Sequence, residues 1–120
     1  MGLFDIPVSE LHKYMGTNPK PEDYDLYWQR GLEEMDSLDP CACLTPAFPH
    51  PAFHCYDLYY FGTANARIYA KLVVPKEARF PVPAVMQFHG YSGSSGDWAG
   101  LFQLAASGFA VAAMDVRGQG

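Results

Sequence analysis

Apolar residues recur along the chain with two periods, and the change of period separates two kinds of structure. From residue 21 to residue 38 they fall three and four positions apart, which is the spacing of one face of a helix. Pro21 stands in the first turn and acidic side chains follow it, as at a helix start. We predict a helix from Pro21 to Leu38 whose apolar face packs against the fold. That face comprises Tyr24, Tyr27, Trp28, Gly31, Leu32, Met35 and Leu38.

Weaker signals surround this helix. Phe4 to Pro7 is expected to be extended, and Ser9 to Tyr14, ended by Gly16, predicts a short helix. Asp39 to Pro51 is rich in proline and predicts an irregular connector. We therefore expect residues 1–40 to form a helical N-terminal extension.

Beyond residue 52 the period becomes that of strands. Phe53 to Phe61 is rich in aromatic and β-favouring residues, and Gly62 to Asn65 supplies a turn. Arg67 to Val74 then alternates between two faces. One face carries Ile68, Ala70, Leu72 and Val74, and the other carries Arg67, Tyr69 and Lys71. The two runs predict an antiparallel hairpin.

A strand, a helix and a second strand follow the loop of residues 75–83. Ala84 to Phe88 is apolar enough for burial on both faces, Trp98 to Ser107 has helical spacing, and Phe109 to Val116 is again apolar. This order predicts one right-handed parallel crossover. The fold class is therefore α/β: N-terminal helices, a hairpin and the first β-α-β unit. Residues 52–120 start a sheet that these 120 residues leave incomplete, within one domain.

Composition narrows the class of function. The 120 residues are 49% apolar and 15% aromatic, enough for one small packed domain. The net charge is −5 and the basic residues are scattered, so we expect neither nucleic acid nor an anionic membrane as partner. Met1 to Pro7 lacks the pattern of a secretory signal, and no window approaches the roughly 18–20 apolar residues of a membrane span. We predict a cytoplasmic protein.

Three cysteines, Cys41, Cys43 and Cys55, raise the question of a metal. Cys41 and Cys43 precede His50 and His54, but Cys-x-Cys is not the Cys-x-x-Cys spacing of a structural zinc site. The prolines between the two pairs indicate a connector. We therefore expect unpaired thiols and no metal.

The glycine-rich turn between Phe88 and Trp98 carries the candidate chemistry, because the N–H groups at a helix start are unpaired. A dinucleotide site is one alternative, since glycines follow a strand and Asp115 ends the next strand about twenty residues on. Tyr91 and Ser92, however, stand where such a site has closely spaced glycines. No lysine follows residue 76 to form a phosphate loop, so nucleotide binding is disfavoured.

An oxyanion hole is the second alternative. Ester hydrolases of the α/β type take one donor from the loop after the third strand, where a His-Gly sequence often occurs. Counting the hairpin as strands one and two makes Ala84 to Phe88 the third. His89-Gly90-Tyr91 then lies in the expected place, and the Tyr91 N–H would be the donor. A plain strand-to-helix connector, capped by Ser95 or Asp97, stays equally open.

Two further roles within the turn are not adopted. His89 in this position more often supports the loop by hydrogen bonds than transfers protons. Ser92, Ser94 and Ser95 are not nucleophile candidates, because none lies in a Gly-x-Ser-x-Gly sequence and the 120 residues contain no such sequence.

A set of segments, taken together, carries a family resemblance. They are Leu3-Phe4-Asp5-Ile6-Pro7, Glu10-Leu11, Tyr14, Tyr24 to Trp28, Phe88-His89-Gly90-Tyr91 and Arg117-Gly118-Gln119-Gly120. In this order they resemble the start of the acetyl xylan esterase and cephalosporin-C deacetylase family, carbohydrate esterase family seven. The Arg-Gly-Gln and His-Gly-Tyr sequences, at their spacing, are the most specific parts of a resemblance that runs from Leu3 to Gly120.

The resemblance implies a cytoplasmic serine carboxylesterase of α/β-hydrolase fold that deacetylates short xylo-oligosaccharides and acetylated small molecules. It implies no metal or organic cofactor, and a doughnut-like homohexamer whose active sites face an inner cavity. Tyr91 would supply the backbone oxyanion donor and, with Gly90, line the acetyl pocket. Structural roles, organising the active-site side of the sheet, would fall to His89, Arg117, Gly118 and Gln119.

The chain departs from the family pattern in what its 120 residues lack. The family's nucleophile lies in a Gly-x-Ser-Gln-Gly elbow after the fifth strand, the second oxyanion donor is the Gln beside it, and the acid and histidine come later. We therefore expect an N-terminal fragment that does not hydrolyse esters by itself. We also expect an open apolar edge at Ala84 to Phe88. A non-catalytic sugar-binding or assembly module is the alternative, and a nucleotide-binding β-α-β unit is less favoured.

Overall fold

The computed structural model describes residues 6–120, so the predicted extended start at Phe4 and Asp5 lies outside the described residues. Three α-helices, one 3-10 helix (Thr63–Asn65) and five strands occupy this range. The helices are α1 (Val8–Leu11), α2 (Tyr24–Ser37) and α3 (Trp98–Ala106). The strands are β1 (Cys43–Pro49), β2 (Phe53–Gly62), β3 (Ala66–Pro75), β4 (Ala84–Phe88) and β5 (Ala110–Met114).

The five strands form one open mixed sheet in the order β1-β2-β3-β5-β4. β2 and β3 pair along their whole length, with Phe53 opposite Pro75 and Gly62 opposite Ala66. β3 pairs antiparallel with β5, and β5 pairs parallel with β4. The predicted hairpin is therefore confirmed, and so is the β-α-β unit, which consists of β4, α3 and β5.

The prediction of an irregular connector from Asp39 to Pro51 is wrong, because β1 lies within it. β1 pairs antiparallel with β2, with an irregularity between Pro46 and Phe48. Proline is tolerated here because β1 is an edge strand, whose outer side has no partner strand within residues 6–120 that needs a donor. β4 is consequently the fourth strand along the chain and not the third.

The core lies between α3 and one face of the sheet. Val73 of β3 and Val111 of β5 are paired in register and fully buried, and Leu101 of α3 belongs to the same cluster. Burying a large aliphatic side chain contributes about 1.5–3 kcal/mol. The core therefore fixes α3, and with it the end of the glycine-rich turn. Its members are Phe53, Cys55, Val73, Leu101, Ala105, Val111 and Ala113.

β4 is an edge strand, and the prediction that it is buried on both faces is wrong within residues 6–120. Met86 and Phe88 expose 45% and 67% of their surface. In the described sheet β4 pairs with β5 alone, so its other edge is open. The open apolar edge expected from the sequence is present.

Helix α2 begins and ends close to the predicted bounds, but the prediction that its apolar face packs is wrong within the described residues. Tyr27 and Trp28 are 70% and 53% exposed, and no residue of the helix is buried. At the hairpin turn, Glu34 Oε1 accepts a hydrogen bond from Ala64 N–H at 2.7 Å. The radius of gyration is 19.4 Å, above the roughly 14 Å of a compact chain of this length, in keeping with a helix that stands off the sheet.

Among residues 6–120, no helix combines the length and the apolar character of a membrane-crossing segment.

Candidate active site

The turn between β4 and α3, residues 89–97, is closed by local hydrogen bonds. Gly93 N–H donates to Gly90 O at 3.0 Å, which forms a tight turn around Tyr91 and Ser92. Ser92 adopts a left-handed φ of 59°. A Cβ on Gly93 would meet Gly90 O and the His89 ring at 3.0 Å, so a larger residue there would displace them. The glycine is required by the close approach of its neighbours.

The turn ends at the N-cap of α3. Asp97 Oδ1 accepts a hydrogen bond from Gly100 N–H at 2.9 Å. A carboxylate at this position satisfies one unpaired helix N–H and also favours the helix dipole. Of the two caps considered from the sequence, Asp97 is the one used, and Ser95 is instead buried at 8% exposure.

Both ring nitrogens of His89 bond to backbone groups. Nε2 accepts a hydrogen bond from Val116 N–H at 3.0 Å, and Nδ1 lies 2.8 Å from Gly90 O. Because Nε2 is an acceptor, Nδ1 carries the proton of the neutral ring and donates it to Gly90 O. Neither nitrogen is left to take a proton from a substrate. The ring joins the turn to the loop that follows β5.

The peptide unit between Gly90 and Tyr91 is held through its carbonyl. Gly90 O accepts from both Gly93 N–H and the His89 ring. A trans peptide is planar, so the N–H of this unit points opposite to its C=O. Among residues 6–120 no group accepts a hydrogen bond from the Tyr91 N–H, and the Tyr91 side chain is 94% exposed. The turn therefore presents one oriented donor without an internal acceptor.

The loop that follows β5 holds the turn at three points. β4 and β5 are adjacent and parallel, so the loops at their carboxyl ends emerge at the same edge of the sheet. Asp115, which a dinucleotide site would direct to a ribose, is thereby used inside the protein. The three bonds are Ser95 N–H to Asp115 Oδ1 (2.5 Å), Val116 N–H to His89 Nε2 (3.0 Å) and Ser92 N–H to Gln119 Oε1 (2.9 Å).

The two polar side chains of the Arg-Gly-Gln segment contact different parts of the structure. Gln119 reaches the turn, whereas Arg117 Nη1 donates to Thr63 O at 3.0 Å, at the hairpin turn. Gly118 between them has a φ of +83°, which glycine adopts without strain. Arg117 also lines the open groove between α2 and the hairpin turn. The segment therefore connects the turn after β4 with the hairpin.

A second polar cluster lies under α3, and the alternation of β3 gives no sign of it. Lys71 Nζ donates to Ser95 Oγ at 2.7 Å and lies over the Tyr69 ring. Tyr69 O–H donates to Asp57 Oδ1 at 2.6 Å. Burial, this hydrogen bond and the carboxylate charge raise the pKa of Tyr69 above its usual value. In the structure Lys71 lies on the same face of β3 as Val73, and α3 covers that face.

The residues of the zinc alternative are not brought together. In the part of the chain that the structure describes, no three His, Cys, Asp or Glu side chains are placed to hold one metal ion. His50 is stacked on two phenylalanine rings. Cys41 and Cys43 are exposed and Cys55 is buried, and burial raises the pKa of the Cys55 thiol. All three cysteines are unpaired.

Comparison with known proteins finds one family model and close structural matches from that family. The family model described as acetyl xylan esterase (AXE1) matches residues 1–120. The crystal structure of acetyl xylan esterase 1 from Thermoanaerobacterium sp. JW/SL YS485 is 51% identical over 98% of this chain, with a TM-score of 0.86. The acetyl xylan esterase from Paenibacillus sp. R4 is 33% identical over 96% of this chain, with a TM-score of 0.79.

This chain spans 37% and 38% of the length of these two structures. The open five-stranded sheet corresponds to part of an α/β-hydrolase fold, and the predicted fold class and resemblance are confirmed. The family match covers the turn, the β-α-β unit and the Arg-Gly-Gln segment alike. The chain belongs to the acetyl xylan esterase family.

Proposed function

We propose that the turn after β4 supplies one half of the oxyanion hole of a serine acetylesterase, with the Tyr91 N–H as donor. The observation that carries the proposal is the Gly90–Tyr91 peptide, whose carbonyl is held by two hydrogen bonds and whose N–H has no acceptor among residues 6–120. This peptide lies where a strand leads through a turn into a helix, the place from which α/β ester hydrolases take an oxyanion donor.

The donor acts on the charge that develops during acyl transfer. A serine oxygen attacks the carbonyl carbon of the acetyl group, and the carbonyl oxygen becomes an oxyanion in the tetrahedral intermediate. An N–H that is already oriented stabilises that oxygen more than the neutral carbonyl, without reorganisation. One such donor contributes roughly 3–4 kcal/mol to the stabilisation of the transition state.

The other catalytic groups lie outside these 120 residues in this proposal. No Gly-x-Ser-x-Gly sequence occurs between Met1 and Gly120. The nucleophilic serine, its base and acid, and the second oxyanion donor would belong to the complete enzyme that contains these residues. By themselves, residues 1–120 would bind and orient but would not hydrolyse an ester. The chemistry requires no metal or organic cofactor.

The family resemblance supports a more specific substrate and setting. The proposed substrates are acetylated xylo-oligosaccharides and small acetylated molecules such as cephalosporin C, in the carbohydrate metabolism of the cytoplasm. The exposed Tyr91 side chain fits a lining residue of an acetyl pocket. The complete enzyme would be a homohexamer. Acetate release from both substrate types, and the mass of the assembly by light scattering, check these points.

The donor itself is tested by removing one N–H. In the complete enzyme, the Tyr91 residue is replaced by the corresponding α-hydroxy acid, which converts its amide into an ester and leaves the side chain in place. We expect kcat to fall about 100-fold to 1,000-fold with little change in KM. Tyr91→Ala, which keeps the N–H, is the control and should lose far less in kcat. An unchanged kcat in the ester variant would contradict the proposal.

The need for further residues is tested with the 120-residue chain alone. It should release no more p-nitrophenol from p-nitrophenyl acetate than buffer does. Release that a serine-directed inhibitor abolishes would contradict this. The coding sequence beyond Gly120 gives an independent check, because the proposal expects a Gly-x-Ser-Gln-Gly sequence there.

A further inference from the structure

We propose that Gln119 is a positioning residue that sets the direction of the Tyr91 N–H by holding Ser92. This inference rests on the proposed oxyanion role of Tyr91. Gln119 does not contact the reacting atoms in this assignment. It acts through one hydrogen bond, from Ser92 N–H to Gln119 Oε1 at 2.9 Å.

The geometry of Tyr91 depends on the two peptide planes that flank its Cα. The plane before it is held at Gly90 O by the His89 ring and Gly93 N–H. The plane after it contains the Ser92 N–H, and its bond to Gln119 fixes it from the other side. Because each peptide unit is rigid, fixing both planes fixes φ and ψ of Tyr91 together. Without Gln119, the second plane loses its direct hydrogen bond and is restrained only by the turn bond from Gly93 N–H to Gly90 O.

Ser92 needs an external partner to stay in place. Its φ of 59° lies in the left-handed region, which a non-glycine residue adopts only when its surroundings hold it there. The Ser92 N–H points out of the turn, toward the loop after β5. The acceptor that meets it is the side chain of Gln119.

Gln119 is itself anchored well enough to serve as a fixed acceptor. Its own N–H donates to Val116 O at 2.8 Å, and Gly118 takes the positive φ that this turn requires. The same loop holds His89 through Val116 N–H and Ser95 through Asp115. Gln119 is therefore the member of this loop that acts beside Tyr91.

The experiment compares two substitutions in the complete enzyme. Gln119→Leu has a similar size and no acceptor, whereas Gln119→Glu keeps a side-chain oxygen for Ser92. Amide hydrogen exchange at Ser92 reports the hydrogen bond, and kcat and KM report its effect on the reaction. Arg117→Ala is the control for the motif, since Arg117 bonds to Thr63 and not to the turn.

For Gln119→Leu we expect exchange at Ser92 to accelerate at least about tenfold, and kcat to fall about 10-fold to 100-fold with KM within about twofold, because the donor is misplaced. Gln119→Glu should keep the slow exchange and a higher kcat than Gln119→Leu. Arg117→Ala should leave exchange at Ser92 unchanged. Circular dichroism confirms that each variant is folded.

The inference fails if Gln119→Leu leaves Ser92 exchange slow, or if exchange accelerates while kcat stays within about twofold of the parent enzyme. It also fails if Gln119→Glu loses as much kcat as Gln119→Leu while keeping the slow exchange. Failure of the oxyanion proposal is recognised separately, by a Tyr91 amide-to-ester variant that keeps its kcat.

Discussion

The turn of residues 89–97 and helix α2 are held in opposite ways. The turn has few apolar side chains, yet the N–H groups of Ser92 and Ser95 bond to fixed acceptors in the loop after β5, and Lys71 bonds to Ser95 beneath it. Helix α2 has a continuous apolar face, but within residues 6–120 none of its side chains is buried. A side-chain hydrogen bond joins it to the hairpin turn, where Glu34 Oε1 accepts from Ala64 N–H.

The contrast separates two sources of order. A polar segment is held in place when backbone N–H groups along it meet acceptors that are themselves fixed. An apolar face contributes about 25 cal/mol for each Å² that is removed from water, and nothing while it stays exposed. Hydrophobic periodicity predicts an apolar face on a helix, but it does not predict which surface covers that face.

The largest effect is expected in the core under α3. Leu101→Ala removes a side chain that is 2% exposed and should lower the free energy of unfolding by about 2–5 kcal/mol, through lost burial and a cavity. Leu32→Ala on the apolar face of α2 is the matched control and should cost less than about 0.5 kcal/mol. Urea unfolding measures both. If Leu32→Ala lowered the free energy of unfolding as much as Leu101→Ala, the contrast between the two regions would be wrong and another surface would cover α2.

The next effect concerns the polar anchors of the turn. Asp115→Ala leaves the Ser95 N–H without its acceptor in a buried position and should cost about 1–3 kcal/mol. Asp115→Asn keeps an oxygen there and should recover part of that loss. Asp25→Ala, which breaks an exposed ion pair with Lys20, should change stability little. Equal losses at Asp115 and Asp25, measured by urea unfolding, would remove the distinction between anchored and exposed regions.

A smaller effect is expected at the helix starts. Asp97→Ala removes the side-chain cap of α3 and should cost about 1 kcal/mol. Asp23 holds the equivalent position in α2, but its side chain makes no capping hydrogen bond. Asp23→Ala should therefore cost less than Asp97→Ala. Thermal unfolding of the two variants compares them, and a larger loss at Asp23 would contradict the assigned caps.

The smallest effect at neutral pH is expected at Tyr69. Its pKa is raised in the fold, first by burial and then by Asp57, so the folded state holds the phenolic proton more tightly than the unfolded chain. This stabilisation is complete below the unfolded pKa of about 10 and is lost as the pH rises through the folded value. Above about pH 10, the free energy of unfolding of Tyr69→Phe should fall less steeply with pH than that of the parent protein. A parent protein whose phenolate absorbance shows no late-titrating tyrosine would contradict this.

Much of the fold can be predicted from hydrophobic periodicity, because periodicity indicates strands and helices that contact their neighbours in sequence. The alternation of β3 and the two-part hairpin predict β2 and β3, and apolar runs around a glycine-rich turn predict β4, α3 and β5. The sequence does not predict β1, because Pro46 and Pro49 are unfavourable inside a strand. They are tolerated in β1 because it lies at the edge of the described sheet. The burial of β4 was mispredicted because an apolar run does not reveal its place in the sheet order.

The contacts of the turn could be predicted only in part. The resemblance pointed to Tyr91 and to the Arg-Gly-Gln segment, and the roles given to them remain proposals. Their partners, however, depend on strand order: Asp115 and Gln119 meet the turn because β5 inserts beside β4. The alternation of β3 places Lys71 on a polar face, but it does not predict that α3 covers that face.

The strand order also determines when the turn can form. β2 and β3 are neighbours in sequence and can pair as soon as both exist, whereas within the described sheet β4 pairs only with β5, which follows it in the chain. Contacts between distant segments form more slowly than local ones, and a ribosome adds roughly 5–20 residues per second. Tyr91 is synthesised before Val116 and Gln119, which hold His89 and Ser92 on either side of it. The proposed oxyanion donor can therefore be held on both sides only after residues 116–119 have been synthesised and have met the turn.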